Sequence, residues 1–184
     1  MVNAQDAIRL YRMLSGHGIA TWLIGGWGVD ALLGEQTRPH KDLDVLLLVD
    51  DVARMCEFFG SDGYHLQYLW SENRHSIDGK GVEIETAFVL GDAEGREIDV
   101  HALRLDDEGN GIPAWEAAEF VFRSRDLAGE GTIEGVAVRC VTAEVQMVCH
   151  AGYDLPDAHR RDVEMLRARF GVEVGDSVAR PLGP

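Results

Sequence analysis

The chain is poor in cysteine, and the residues that commonly bind zinc show no pairing pattern. Only Cys56, Cys140 and Cys149 occur in 184 residues, without a CxxC pair, and the seven histidines form no HxxxH or HxH pair. These absences count against a zinc site, and the odd number of cysteines counts against a disulfide framework. We therefore expect reduced thiols and a cytoplasmic protein.

Long apolar runs and positive charge are also scarce. No apolar stretch approaches the length of a membrane-spanning helix, and the N-terminus lacks the basic and apolar regions of a signal peptide. Lysine and arginine number 17 against 32 acidic residues, which gives a net charge of −15. Such a surface repels nucleic-acid backbones and favours cationic partners, although acidity also serves solubility alone. We expect no membrane and no nucleic acid among the partners.

Apolar residues make up 46% of the chain, enough for one packed domain. Periodicity, capping residues and glycines predict its elements. The first predicted helix begins after Asn3 and ends at Gly16 or Gly18. The other predicted helices are Trp27–Leu33, Asp51–Gly60, Thr142–His150 and Pro156–Phe170. The predicted strands are Ile19–Ile24, Val45–Val49, Tyr64–Trp70, Val82–Leu90, Arg96–Leu103 and Val136–Val141, whereas Asp106–Trp115 is predicted as a loop and Gly129–Gly135 as a turn-rich segment.

Two aspartates one residue apart, Asp42 and Asp44, precede the apolar run Val45–Val49. Side chains alternate along a strand, so both carboxylates share a face while Leu43 points into the core. Neighbouring carboxylates resist ionisation, and a bound divalent cation removes that repulsion. Hard oxygen ligands of this kind suit Mg²⁺. The alternative interpretation is a solvated pair of acids at a strand edge.

A glycine pair, Gly25 and Gly26, lies between the strand Ile19–Ile24 and the short helix Trp27–Leu33. Backbone N–H groups at a helix N-terminus attract anions, and the missing Cβ atoms allow a phosphate to approach. An ordinary strand-to-helix turn is the alternative. A phosphate seat followed by a pair of metal-binding carboxylates is nevertheless more specific than either feature alone.

Three stretches together resemble a known family. They are GGWGVDALLGEQTRPHKDLDV at 25–45, EIDVHAL at 97–103 and VTAEVQMVCHAGYDLPDAHRRDVEML at 141–166. They resemble the nucleotidyltransferase superfamily that contains DNA polymerase beta, in particular the lincosamide nucleotidyltransferases and then the aminoglycoside 2″-nucleotidyltransferases. The residues of Ser71–Ala87 could not be placed in this pattern.

The resemblance implies an α+β nucleotidyltransferase fold, with a mixed β-sheet flanked by helices and further helices at the C-terminus. We accordingly divide the chain into a catalytic core at 1–140, a helical segment at 141–170 packed on that core, and a flexible tail at 171–184.

The resemblance also implies a reaction. AMP would pass from ATP, or another nucleotide from its nucleoside triphosphate, to a hydroxyl of a small cationic antibiotic, a lincosamide in the first place, with release of pyrophosphate. Asp42 and Asp44 would bind Mg²⁺, with two ions in such a site. Asp99, in EIDVH, would be the third carboxylate, either as the general base or as a ligand of the second ion.

The phosphates of the nucleotide are assigned to Gly25, Gly26 and the neighbouring backbone. Many superfamily members carry serine where this chain has Trp27, so backbone N–H groups replace a hydroxyl contact. Arg38 is predicted to neutralise the departing pyrophosphate. Lys41 is the second candidate. As the neighbour of Asp42 in sequence, its side chain should point to the other face of the sheet, unless the strand begins after it.

Several site assignments stay open at this stage. Glu83 and Glu85 are alternative bases, because the predicted strand Val82–Leu90 pairs with the strand that carries Asp99. His101 shares the face of Asp99 and either lines the site or is structural. His150 and Tyr153 would support the catalytic strands from the last helical pair.

Two classes of function also stay open. One is an antibiotic-modifying enzyme, acting on a lincosamide or an aminoglycoside. The other is a nucleotidyltransferase-like antitoxin that modifies a partner protein. The sequence does not fix the drug, the nucleotide base, or the choice between monomer and homodimer.

Overall fold

A computed structural model describes residues 1–117, 120–149 and 156–172. Its helices are α1 Ala4–Gly16, α2 Gly25–Leu33, α3 Val49–Ser61, α4 Ala143–Cys149 and α5 Asp157–Phe170, with a 3-10 helix at Ser124–Leu127. Its strands are β1 Thr21–Leu23, β2 Asp42–Leu48, β3 His65–Leu69, β4 His75–Ile77, β5 Glu83–Glu85, β6 Ala87–Gly91, β7 Glu97–Leu105, β8 Gly111–Pro113, β9 Gly129–Ile133 and β10 Val136–Cys140. None of the helices in these ranges has the length and apolarity needed to cross a bilayer.

The main sheet is mixed, which confirms the predicted α+β class. Its strands lie side by side in the order β3-β6-β7-β2-β1-β10-β9, and β8 adds to β7. The pairs β1–β10 and β2–β7 are parallel. The other neighbouring strands are antiparallel. Strands β4 and β5 form a separate two-stranded sheet.

The central strand β2 presents different chemistry to the two sides of the sheet. Leu43 and Val45 lie in the larger apolar core, together with buried residues of α1 and α3. Leu46 belongs to a second apolar cluster on the opposite face. Because side chains alternate along a strand, Asp42 and Asp44 face the same side as Leu46. The fold thus places both carboxylates on the face away from α1 and α3.

Local signals define most of the helix ends as predicted, but α2 begins at Gly25 instead of Trp27, so the glycine pair forms the first turn of the helix. Asn3 caps α1 through a capping box with Asp6. Gly34 and Gly171 end α2 and α5 in the left-handed conformation, at φ 81° and 66°. Pro156 is the N-cap residue of α5. Glycine ends helices in this way because it has no Cβ to strain the left-handed backbone.

The C-terminal helices pack on α2. Val29 of α2 is buried in one cluster with Met147 of α4 and with Val163 and Leu166 of α5. Helices α4 and α5 thus lie in the region predicted as the helical segment, although the division at residue 140 itself stays a prediction. Most of the predicted tail, residues 173–184, lies outside the described residues.

The prediction of one continuous strand at Val82–Leu90 is wrong. Thr86 separates β5 from β6, because its N–H and hydroxyl groups form hydrogen bonds with the loop at residues 73 and 74. Its N–H donates to Asn73 Oδ1 (2.8 Å) and its hydroxyl donates to the Arg74 carbonyl (2.8 Å). As a result β5 pairs with β4, and only β6 joins the main sheet.

Two predicted irregular segments contain strands. Most of Gly129–Gly135 is β9, which pairs antiparallel with β10. A Cβ on Gly131 would overlap the Ala31 carbonyl of α2, so this glycine permits close packing of strand on helix. The predicted loop Asp106–Trp115 likewise includes β8, which pairs with the end of β7.

Candidate active site

Three carboxylates meet on the face of the sheet opposite α1 and α3. Asp42 and Asp44 come from β2 and Asp99 from the parallel neighbour β7, in a register that sets Asp44 opposite Asp99. One oxygen from each of the three lies within 4.8 Å of the others. The structure therefore brings together all three predicted acidic site residues, which we call the acid cluster.

Burial and mutual repulsion raise the pKa values of the two β2 carboxylates in the acid cluster. Burial raises the pKa of Asp42, and the charge of Asp99 adds to the effect. Burial, and then the charges of Asp42 and Asp99, raise the pKa of Asp44 well above its usual range. Ionising Asp42 and Asp44 together is therefore unfavourable unless a cation lies beside them. Hard carboxylate oxygens at this spacing fit Mg²⁺.

The N-terminus of α2 lies directly against the acid cluster. Gly25 is in the left-handed conformation (φ 60°), and a Cβ there would overlap Asp44 Oδ2 and lie 2.7 Å from its Cγ. The first bond within the helix runs from the Gly28 N–H to the Ile24 carbonyl (3.2 Å). The N–H groups of residues 25–27 therefore have no acceptor within the helix, as an anion site requires.

Trp27 contributes to this end of the helix through its backbone alone. Its side chain is 1% exposed and packs in the main core. The indole also lies against the His40 ring, with a centroid distance of 4.7 Å. A nucleotide-binding role for Trp27, which stays a prediction, is thereby limited to its N–H group.

Arg38 is clamped beneath the same helix end. Its Nη2 would lie only 2.9 Å from a Cβ on Gly26. The guanidinium forms an ion pair with Asp162 of α5 (Nη2–Oδ2 2.8 Å), whose side chain is 1% exposed. Its Nη1 donates to His40 Nδ1 (3.1 Å), which assigns the ring proton to Nε2, where it is donated to Asp30. Burial works against the charge of Arg38, but these interactions raise its pKa.

Lys41 also reaches the acid cluster. Strand β2 begins at Asp42, so Lys41 precedes the strand, and its side chain need not follow the alternation of faces along it. Its Nζ lies 2.8 Å from Glu97 Oε2 and 3.9 Å from Asp42 Oδ2. The contact with Glu97 raises the pKa of Lys41. With a side chain that is 59% exposed, Lys41 remains a second candidate, beside Arg38, for neutralising phosphate charge.

The sequence analysis missed Trp70, which contacts Asp99 directly. The indole Nε1 donates to both carboxylate oxygens, at 2.9 and 3.1 Å. On the other side of Asp99, His101 Nδ1 lies 3.3 Å from Oδ1 in an ion-pair contact, and its Nε2 lies 3.6 Å from Glu72 Oε1. Burial opposes the charge of His101, but Asp99 and Glu72 raise its pKa to about 9. His101 thus belongs to the surroundings of the acid cluster.

The alternative bases do not belong to the acid cluster. Glu83 and Glu85 lie on β5, outside the main sheet, so their predicted pairing with the strand that carries Asp99 is absent. Glu85 accepts a hydrogen bond from Asn73, and both glutamates lie near His75 Nδ1 (3.8 and 3.4 Å). His150 and Tyr153, the predicted supporting residues, lie outside the described residues.

Comparison with known proteins identifies the family. The sequence profile of the aminoglycoside-2″-adenylyltransferases matches residues 7–166. The chain belongs to this family. It is therefore a nucleotidyltransferase, and the predicted resemblance is confirmed.

The relatives span both antibiotic classes. The lincosamide resistance protein of Staphylococcus haemolyticus is 27% identical over 151 residues, which are 82% of this chain and 85% of the relative. The structure of the lincosamide antibiotic adenylyltransferase LnuA with lincomycin has a TM-score of 0.73 at 23% identity, over 91% of this chain and 98% of LnuA. ANT(2″)-Ia with adenylyl-2″-tobramycin has a TM-score of 0.67 at 20% identity, over 90% and 87%. These similarities confirm the nucleotidyltransferase fold.

Proposed function

We propose that this protein transfers AMP from ATP to a hydroxyl group of an antibiotic, with a lincosamide as the first candidate. The observation that carries the proposal is the position of the acid cluster directly against the open N-terminus of α2. A site for cations and a site for phosphate are thus adjacent, as transfer of a nucleotide from a triphosphate requires.

The phosphates of ATP would bind at the start of α2. The N–H groups of residues 25–27 point out of the helix, and its dipole adds partial positive charge. Arg38 supplies a full positive charge beneath Gly26, and Lys41 supplies another at the edge of the acid cluster. These groups would also offset the charge that develops on the leaving pyrophosphate.

Asp42 and Asp44 would hold two Mg²⁺ ions beside Asp99. When bound, these ions supply positive charge that stabilises the attacking and leaving oxygens. The acceptor hydroxyl oxygen would form a bond to the α-phosphorus of ATP as the bond to pyrophosphate breaks. The hydroxyl proton would pass to Asp99, which we take as the general base. His101 Nδ1 lies 3.3 Å from Oδ1 of this carboxylate, and, despite burial, the pKa of His101 is raised to about 9 by Asp99 and Glu72.

Charge and similarity both bear on the acceptor. The net charge of −15 favours a cationic small molecule over nucleic acid or an anionic membrane surface. Similarity to a lincosamide resistance protein and to LnuA favours a lincosamide. The name of the matching family and the likeness to ANT(2″)-Ia favour an aminoglycoside as the second candidate. We place the reaction in the cytoplasm, where ATP and Mg²⁺ are available, and leave monomer and homodimer as alternatives.

Mass spectrometry of the acceptor would test this function. The purified protein would be incubated with Mg²⁺, each nucleoside triphosphate in turn, and lincomycin, tobramycin or tRNA. We expect an adenylyl adduct on lincomycin, with binding that weakens as salt is added. An adduct on tobramycin alone would support the second candidate. Labelling of tRNA, or of a tightly bound protein with no drug adduct, would contradict the proposal.

A further inference from the structure

The indole of Trp70 is held rigidly beside the acid cluster. Its Nε1 donates to both oxygens of Asp99. The Trp70 backbone N–H donates to the Ala87 carbonyl (3.1 Å), which continues the pairing of β3 with β6. The ring also packs edge-on against Tyr68, with centroids 5.1 Å apart at 87°. Neither the ring nor its N–H can move without breaking these contacts.

A bulge in β3 aims this side chain. The register of β3 on β6 shifts between Leu66 and Tyr68. A bulge of this kind changes which face the following side chains take, and such bulges often re-aim a side chain beside an active site. Here it precedes Trp70, whose indole lies over β7 at Asp99.

Asp99 needs such a restraint because opposing interactions act on its carboxylate. The charges of Asp42 and Asp44 repel it, and His101 lies 3.3 Å from its Oδ1. Aspartate has several staggered χ1 rotamers, so the backbone alone does not fix where the carboxylate lies. A donor shared by both oxygens holds the carboxylate in one of these positions, because rotation about χ1 would carry both oxygens away from the indole. It also occupies the direction between the oxygens from which a cation would bind both at once.

We propose that Trp70 is a positioning residue that fixes the position of the Asp99 carboxylate for nucleotidyl transfer. The kinetic consequence of this contact rests on the proposed function, whereas the contact itself rests on the geometry. With the indole in place, the side between the two oxygens is closed to a cation. Without the indole N–H, the carboxylate is free to leave this position or to bind a cation with both oxygens.

The test is Trp70→Phe, with Trp22→Phe as the matched control. Trp22 also donates its indole N–H, but to the Leu127 carbonyl (2.7 Å), which is not part of the acid cluster. Loss of a hydrogen bond to a charged group corresponds to about a tenfold to hundredfold fall in kcat. We expect that fall for Trp70→Phe, with KM for ATP within about twofold of wild type. Trp22→Phe should lower thermal stability while leaving kcat unchanged. Equal kcat in both variants would overturn the inference.

A second measurement links the effect to Asp99. In an Asp99→Asn background, Trp70→Phe should cause no further loss of the residual single-turnover rate, because no base then remains for the indole to position. A full additional loss would show that Trp70 acts elsewhere. If Trp70→Phe does not fold, benzothienylalanine at position 70 replaces the N–H by sulfur with little change of shape, and the same outcomes apply.

A crystal structure of the Trp70→Phe variant gives a readout that does not depend on activity. We expect the Asp99 carboxylate to move from its wild-type position. An unchanged position would overturn the inference, whether or not any acceptor is modified. If the wild-type protein transfers AMP to no acceptor while Asp99 moves as expected, the proposed function fails and the positioning contact stands.

Discussion

Replacing Gly25 by alanine should damage both stability and activity, because two separate penalties fall on one methyl group. The backbone there is left-handed, at φ 60°, which costs a residue with a Cβ about 1–2 kcal/mol. The new Cβ would also overlap Asp44 Oδ2 and lie 2.7 Å from Cγ, and overpacking of this kind costs about 1–3 kcal/mol. The sum is about 2–5 kcal/mol. For a domain of this size, Tm then falls by about 4–20 °C.

Thermal unfolding followed by circular dichroism measures this loss, and Gly60→Ala is its control. Gly60 lies within α3, with ordinary helical backbone and no atom within 4 Å of an added Cβ. Alanine there should stabilise the protein slightly, by about 0.5–1 kcal/mol. AMP transfer by Gly25→Ala should also fall well below that of Gly60→Ala, because the methyl group displaces the Asp44 carboxylate.

A double-mutant cycle separates the two penalties. In an Asp44→Ala background the carboxylate is gone, so Gly25→Ala should cost mainly the backbone term of about 1–2 kcal/mol. If Gly25→Ala costs the same in both backgrounds, the Asp44 carboxylate does not lie against the helix N-terminus. The adjacency of acid cluster and phosphate site would then be refuted.

Three further predictions concern the carboxylates. Because the two β2 carboxylates have pKa values raised above 3.8, their contribution to stability is complete below pH 3.8 and is lost as pH rises through the raised values. At neutral pH, added Mg²⁺ should therefore raise Tm, and a Tm equal with Mg²⁺ and with chelator would contradict a cation site. Asp99→Asn should lower turnover by about 10²–10⁴-fold, while the binding of Mg²⁺–nucleotide, measured by calorimetry, persists. Loss of that binding would show that Asp99 is a metal ligand instead of the general base. Asp162→Asn should weaken ATP binding, because it releases Arg38 from its ion pair. Asp157→Asn, which removes an exposed ion pair of the same helix, should leave ATP binding unchanged. Equal ATP affinity in both variants would show that the ion pair with Asp162 is not needed to hold Arg38 for ATP binding.

The acid cluster could be predicted because it depends on local pattern. Alternation along β2 puts Asp42 and Asp44 on one face, and the resemblance of EIDVH to a known motif identifies Asp99. The contact from Trp70 could not be predicted in this way. It depends on the register of β3 with β6, and a bulge between Leu66 and Tyr68 changes that register without any signal in the residues.

The prediction of a turn-rich segment at Gly129–Gly135 was wrong because glycine has two different structural uses. At Gly34 and Gly171 it ends a helix in the left-handed conformation, as predicted. Gly131 instead lies in β9, where a side chain would overlap the α2 backbone. The sequence does not distinguish a glycine that turns the chain from one that allows a close approach. The clamp on Arg38 by Asp162 is a similar case, since it joins positions 124 residues apart.

The most direct test of the proposed active site compares AMP transfer to lincomycin by the wild-type protein, Asp42→Asn and Asp44→Asn, with the adduct quantified by mass spectrometry. Asparagine preserves the shape of aspartate and removes its charge, so both variants should fold, as circular dichroism would verify. We expect transfer by the wild type and none by either variant. Near-normal transfer by either folded variant in the presence of Mg²⁺ would contradict the assignment of the acid cluster as the site of nucleotidyl transfer.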